Sequence, residues 1–251
     1  MSAPLEARRL VVIVTRVPSW VGTETAVHLL KRGVTVIGIA SYQHRMDRVT
    51  SMLQLKDLPG KFVPFVGKLT SQELVDQIAA RVEQEGKLIA FVNNVGAFTF
   101  ESDGPMSDVE RWDMLQLSLI APLRLFHTIR HTLRKARGRV VNVSSDDVHV
   151  GLERWLVLAA VKTAVNMTTA EIALIDPQLT AVAVHPNIRE TLTPDLRTKA
   201  DTSETPAEVE DVIDSEQLQP AGEMIASLAL TADRSMSGQF LVYQEPPELG
   251  H

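Results

Sequence analysis

The sequence predicts an α/β fold in which a doubly wound sheet of about seven mostly parallel strands is covered by helices on both faces. Two observations carry this. Short runs rich in β-branched residues recur along the chain, and each is followed by a stretch whose apolar residues keep helical spacing. The runs are also apolar without interruption, the pattern of strands buried on both faces. Leu10 to Val14 is the first run, and Val21, Ala26, Leu29 and Leu30 mark the helix after it, closed by Gly33. Val34 to Ala40 is the second strand, followed by a polar helix to about Leu58. Phe62 to Val66, a helix over Ser71 to Glu85, and Leu88 to Val92 continue the alternation. A long helical stretch from about Asp108 to Lys135 leads into the strand Arg139 to Val143. A helix around Leu158 to Leu174, the strand Thr180 to Val184 and a last strand Gln239 to Tyr243 complete the order. Strands joined through helices in this way form right-handed crossover units. Residues 187–220 are rich in Thr, Asp, Glu and Pro and have no strand pattern, so they are read as a loop region with short helices lying over a substrate site.

One domain spanning 1–251 is expected, because a chain of 251 residues buries a substantial core without needing to split. A hydrophobic fraction of 45% and a charged fraction of 22% belong to an ordinary globular protein, and a net charge of -6 leaves no basic surface for nucleic acid. The absence of cysteine removes disulfides, thiolate nucleophiles and thiolate metal sites, which fits a reducing compartment. No apolar stretch is expected to approach the roughly 20 residues of a membrane span, and the N-terminus carries no targeting pattern. The expectation is a cytoplasmic protein without a membrane partner.

Four motifs fall in a fixed order. Val14-Thr15 leads into Gly22 after the first strand, Asn93-Asn94-Val95-Gly96 follows the fourth, Val141-Asn142-Val143-Ser144-Ser145 follows the fifth, and Lys162 lies on the next helix. Together with the closing Ser237-Gly238-Gln239-Phe240-Leu241-Val242, they resemble the short-chain dehydrogenase/reductase superfamily over nearly the whole chain. The resemblance implies a single Rossmann-type domain. It also shows what is missing. The family binds the cofactor pyrophosphate on a Thr-Gly-x-x-x-Gly-x-Gly turn, which here reads Thr15-Arg16-Val17-Pro18-Ser19-Trp20-Val21-Gly22. Gly22, assigned to close helix-to-strand packing, survives; Trp20 stands where the phosphate should come closest, and Pro18 removes a backbone N–H. The acidic residue that meets the adenine amino group is replaced by Lys68, which cannot accept that hydrogen bond, and the Pro-Gly after the sixth strand is Pro186-Asn187.

The family's reductases use Asn, Ser, Tyr and Lys, with tyrosine about thirteen residues after serine and lysine one helical turn further. Counting from Ser145 reaches Leu158 and then Lys162, so the proton-donating phenol is a leucine. The asparagine position falls on Ser118. Ligands of this fold sit beyond the carboxyl ends of the strands, which points to Ser145-Asp146-Asp147-Val148-His149. Paired carboxylates beside an imidazole can have their pKa values pushed apart into acid and base roles, although Asp146 and Asp147 would equally cap a helix or turn. Ser145, Asp147, His149 and Lys162 are therefore the catalytic candidates, with Lys162 alternatively paired to Asp147 or another carboxylate. Phe98, Trp155 and Leu158 would supply apolar walls, and Asn187 and Arg189 open the loop over the site. If a dinucleotide binds, Thr15, Arg16, Gly22, Arg45, Asn93 and Lys162 would hold it. Arg16, His44 and Arg45 could pair with a 2′-phosphate, which favours NADP(H) over NAD(H). His28, His127 and His131 have no further ligand at metal-site spacing, so no metal is expected.

These losses predict that no cofactor is held. The expected activity is a redox-neutral isomerisation, cyclisation or dehydration of a mostly apolar small molecule. An NADPH-dependent carbonyl reductase with an altered catalytic site is one alternative, with Ser145 and Lys162 polarising the carbonyl directly or through water. A catalytically silent binding or assembly subunit is the other. The resemblance also implies a homodimer or homotetramer built on helices around Leu115 to Leu133 and Leu158 to Leu174.

Overall fold

The computed structural model describes residues 9–95, 107–145, 153–186 and 219–243, with side chains of the third stretch from residue 156 onward. One sheet of seven strands runs through it in the order β3-β2-β1-β4-β5-β6-β7. Every neighbouring pair is parallel. The chain proceeds through β1 (Leu10–Thr15), α1 (Trp20–Lys31), β2 (Thr35–Ala40), α2 (Gln43–Leu55), β3 (Phe62–Val66), α3 (Gln72–Glu85) and β4 (Lys87–Asn93). Then come α4 (Asp108–Leu115), a π turn (Gln116–Ile120), α5 (Ala121–Lys135), β5 (Arg139–Val143), α6 (Glu153–Ile175) and β6 (Thr180–His185). Helix α7 (Gln219–Thr231) and a short 3-10 turn (Arg234–Met236) lead into β7 (Phe240–Val242).

Successive side chains of a strand point to opposite faces, so uninterrupted apolar runs build a core on each side of the sheet. Val12, Val14 and Val36 face one way and pack with Leu29 and Leu30 of α1 and Ile225 and Ala226 of α7. Val11, Ile13 and Ile37 face the other way and meet Ile78 of α3 and Leu125, Ile129 and Leu133 of α5. The helices start on side-chain caps that accept orphan N–H groups. Ser19 caps α1, Ser71 caps α3, and Ser107 with Glu110 forms a reciprocal capping box on α4.

Several sequence expectations are corrected. Helix α2 stops at Leu55 rather than near Leu58, because Asp57 turns the chain at φ 46° while its N–H closes on the Gln54 carbonyl. The loop region does not reach residue 220, since α7 begins at Gln219. Its Ala221, Gly222, Ile225, Ala226 and Ala229 are all buried. A Cβ on Gly222 would come within 2.9 Å of the Thr25 nitrogen, so α7 approaches α1 as closely as it does only through a glycine. The long helix of Asp108 to Lys135 carries a π turn at its middle, with Ser118 completely buried inside it. Contrary to the expectation that no apolar run approaches a membrane span, Leu156–Ile175 of α6 has 20 residues of mean hydropathy 1.3. Leu158, Val161, Val165 and Ile172 of that segment are buried in the body of the protein.

Candidate active site at the carboxyl edge of the sheet

In the strand order the chain reverses direction of growth between β1 and β4, and the carboxyl ends of these strands frame the crevice where open α/β sheets place ligands. The turn from β1 into α1 is tied to that edge by side chains. The Thr15 hydroxyl accepts from the Asn94 N–H at 2.9 Å and faces the Val92 carbonyl at 3.5 Å. Asn94 Nδ2 donates to Ser19 Oγ at 2.9 Å and to the Arg16 carbonyl at 3.3 Å. Ser19 Oγ donates to the same carbonyl at 3.0 Å and accepts from Gly22 N–H at 3.1 Å. Val17 N–H reaches across to the Ile39 carbonyl of β2 at 3.1 Å.

Arg16 holds φ at 51°, in the left-handed region that favours glycine, at the position of the first glycine in the family pattern. Such a conformation costs a side-chain-bearing residue about 1–3 kcal/mol, and the Asn94 and Ser19 bonds hold it there. Gly22 has no room for a side chain. A Cβ would lie 2.9 Å from Asn94 Nδ2 and 2.9 Å from Val17 Cα, and would run into the Arg16 carbonyl oxygen. The turn thus keeps its close packing with one glycine, because Ser19 and Asn94 tie down the stretch where the others would stand. It delivers the N-terminus of α1, the positive end of the helix dipole, to the crevice. Helix N-termini of this kind offer N–H groups to phosphates, although here Trp20 is the first helical residue and Pro18 contributes no N–H.

On the other side of β4, the segment after β5 carries the remaining polar groups. Ser144 is buried, with its N–H on the Val184 carbonyl at 2.7 Å and its hydroxyl facing the Lys162 carbonyl at 3.5 Å. Ser145, next along, is half-buried. Lys162 of α6 is only 6% exposed, and its Nζ donates to the Val143 carbonyl at 3.0 Å. Burial first, and then the Arg16 guanidinium, push this ammonium down from the ordinary lysine range to about 8. Leu158, one helical turn earlier, is 2% exposed and offers no hydroxyl. Behind the crevice a buried chain ties β4 to β5 and α6. Asn93 Nδ2 donates to Asn142 Oδ1 at 2.9 Å, Asn142 Nδ2 to Thr169 Oγ1 at 2.8 Å, and Thr169 Oγ1 to the Val165 carbonyl at 2.8 Å. Ser118 lines a small cleft together with Asn93 and Asn142.

The structure brings Thr15, Arg16, Gly22, Ser145, Leu158 and Lys162 to this edge through the ends of β1 and β5 and the start of α6. Arg45 lies in the first turn of α2, past the end of β2. Asn93, expected to touch a dinucleotide if one binds, holds β5 through Asn142 and accepts from Val95 N–H at 3.4 Å. The expected carboxylate partner of Lys162, Asp147, lies outside the described residues; among those described, Lys162 bonds to the Val143 carbonyl. Phe98, Asp147, His149, Asn187 and Arg189 lie outside the described residues, as does the side chain of Trp155. Ser19 and Asn94 were not among the sequence candidates. Asn94 stood within a quoted motif, but its partner across the sheet is visible only in three dimensions.

The family model for short chain dehydrogenases matches residues 10–200. An uncharacterized oxidoreductase of Saccharomyces cerevisiae is 27% identical over 186 residues, covering 72% of this chain and 71% of the relative. The structure of L-sorbose reductase from Gluconobacter frateurii, complexed with NADPH and L-sorbose, superposes with a TM-score of 0.75 at 18% identity, over 94% of this chain and 95% of that one. The structure of a variant of actinorhodin polyketide ketoreductase with NADPH gives a TM-score of 0.74 at 20% identity over 93% and 95% of the two chains. These findings overturn the redox-neutral isomerisation, cyclisation or dehydration expected from the sequence, since the relatives are oxidoreductases. The expectation that no cofactor is held finds no support in them either. The sequence argument took Trp20, Pro18, Lys68, Asn187 and the lost glycines as the loss of a dinucleotide site, while in the described turn Asn94 and Ser19 hold the backbone in place.

Proposed function

Because the chain belongs to the short chain dehydrogenase family, we propose that it is an NADPH-dependent carbonyl reductase working from an altered catalytic site. The observation that carries this reading is Lys162. An ammonium held at 6% exposure against its own desolvation, at the crevice edge and facing a second cation, is costly to the fold and serves chemistry. NADPH, when bound, supplies a hydride to the carbonyl carbon. The chain's own residues do the rest. The β1–α1 turn and the N-terminus of α1 receive the phosphates, and Lys162 and Ser145 draw electron density toward the carbonyl oxygen. Selectivity for NADPH is supported by the end of β2, where Ala40-Ser41-Tyr42 offers no carboxylate to a ribose 2′-hydroxyl and Arg45 follows on α2.

The exposed Ile120 beside α5, and Leu156, Met167 and Leu174 on α6, support a homo-oligomer in which a second copy covers this face; Leu156 is 67% exposed. A cytoplasmic location is part of the same proposal.

The test is NADPH oxidation by the purified protein across a panel of aldehydes, ketones and keto acids. The expected outcome is saturable turnover with at least one carbonyl class. Absence of NADPH-dependent turnover across the whole panel contradicts the reading.

A further inference from the structure

The reductase reading leaves a gap in the proton account, and resting on that reading we propose that the Lys162 ammonium is itself the proton donor to the carbonyl oxygen, standing in for the absent phenol. Four observations support the assignment. Leu158 occupies the position one turn before Lys162 on the same helix face, and it carries no exchangeable proton. The chain holds two tyrosines, and neither is on α6 with Lys162. Tyr42 caps α2 and is exposed, and Tyr243 follows β7, with its N–H on the His185 carbonyl at 2.9 Å. The Lys162 Nζ is fixed, since the Val143 carbonyl takes one of its three N–H groups at 3.0 Å, two residues before Ser145. Its other two N–H groups have no partner among the described residues.

The charged group acting on Lys162 from the elements around it is Arg16, on the β1–α1 turn, and no described carboxylate forms an ion pair with it. An acid works best when its pKa lies near the operating pH. A lysine in water holds its proton too tightly for that. Burial and the neighbouring guanidinium bring this one to about 8.

A hydride from the reduced nicotinamide forms a C–H bond at the carbonyl carbon, and the carbonyl π pair moves onto oxygen. That oxygen takes a proton from Lys162 Nζ, giving an alcohol and an oxidised nicotinamide, with lysine left as the neutral amine. Water then returns the proton to the amine. The carbonyl is reduced by two electrons, the nicotinamide is oxidised by two, and one proton is drawn from solvent.

Two measurements on the full chain test this. In the first, the ligand-free protein labelled with 13C at lysine Cε is titrated by NMR. One resonance is expected to titrate near pH 8, far below the other lysines, and to vanish in Lys162→Met. A full set of lysines titrating in the ordinary range overturns the proposal without reference to activity. In the second, kcat/KM for NADPH-dependent reduction is followed against pH with the carbonyl found by the panel. Since the protonated form is the active one, the rate is expected to fall tenfold per pH unit above about 8. In Lys162→Arg, whose guanidinium stays charged, that limb is expected to disappear. Turnover that keeps the limb in Lys162→Arg, or loses it in His149→Gln or Asp147→Asn, overturns the proposal while leaving the reductase reading intact. Absence of any turnover removes both.

Discussion

Replacing Leu158 by Tyr is expected to raise the rate of carbonyl reduction, with the roughly 10²–10⁴-fold contribution of a positioned general acid as its ceiling, because the Lys162 ammonium already delivers part of that help. Position 158 precedes Lys162 by one helical turn, so a phenol there projects from the same face of α6 toward the end of β5. The present leucine is 2% exposed, so the larger ring must find space, at a cost of about 1–3 kcal/mol in stability. That cost falls on folding. The gain falls on the chemical step, because a phenol beside a cation gives up its proton readily to a developing alkoxide. The comparison with Leu158→Phe isolates the hydroxyl, since phenylalanine has the same ring and the same packing demand without the proton. The ratio of kcat/KM between the two variants, measured with one carbonyl substrate, is the number that matters. Equal rates for the Tyr and Phe variants would mean that position 158 does not face the reacting carbonyl.

Replacing Gly22 by Ala is expected to remove NADPH binding while lowering stability by about 1–3 kcal/mol. The added Cβ would stand 2.9 Å from both Asn94 Nδ2 and Val17 Cα and against the Arg16 carbonyl; the last two are backbone, and Asn94 Nδ2 is held by its bonds to Ser19 and Arg16. Relief requires α1 to move away from the turn. The Ser19 and Asn94 bonds that hold Arg16 in its left-handed conformation would then open, and with them the cradle at the helix N-terminus. Thermal melts with and without NADPH separate the two effects. The melting temperature of the variant alone is expected to fall by several degrees, and the upward shift caused by NADPH in the parent protein is expected to vanish. A variant that melts lower but keeps the full NADPH shift would detach the turn from cofactor binding.

What could be read from the sequence and what could not divides along the range of the interactions involved. Strands such as Phe62–Val66 and Arg139–Val143 carry their buried, β-branched pattern within a few consecutive residues, and the structure places both where the pattern does. Helix α7 has no such local signature. Its Ala221, Ala226 and Ala229 are buried against α1 and the sheet rather than forming a large apolar stripe, and Gly222 reads as a breaker until the close approach of α1 is known. The motif residues Thr15, Ser145 and Lys162 could be found by spacing along the chain, and they do meet at the sheet edge. The roles of Asn93, Asn94 and Ser19 depend on partners 49, 79 and 75 positions away, which spacing does not reveal. At Arg16 the sequence shows a lost glycine but not the hydrogen bonds from Asn94 and Ser19 to its carbonyl, which hold the arginine in the left-handed backbone that a glycine takes freely.

The most direct test of the central claim is titration of the purified protein with NADPH and NADH, following nicotinamide fluorescence and heat together up to millimolar cofactor. Specific one-to-one binding of NADPH, tighter than that of NADH, is the expected result, and it would place the β1–α1 turn and Lys162 in a working cofactor site. Absence of saturable binding by either nucleotide at millimolar concentration would contradict the claim that this chain is a reductase.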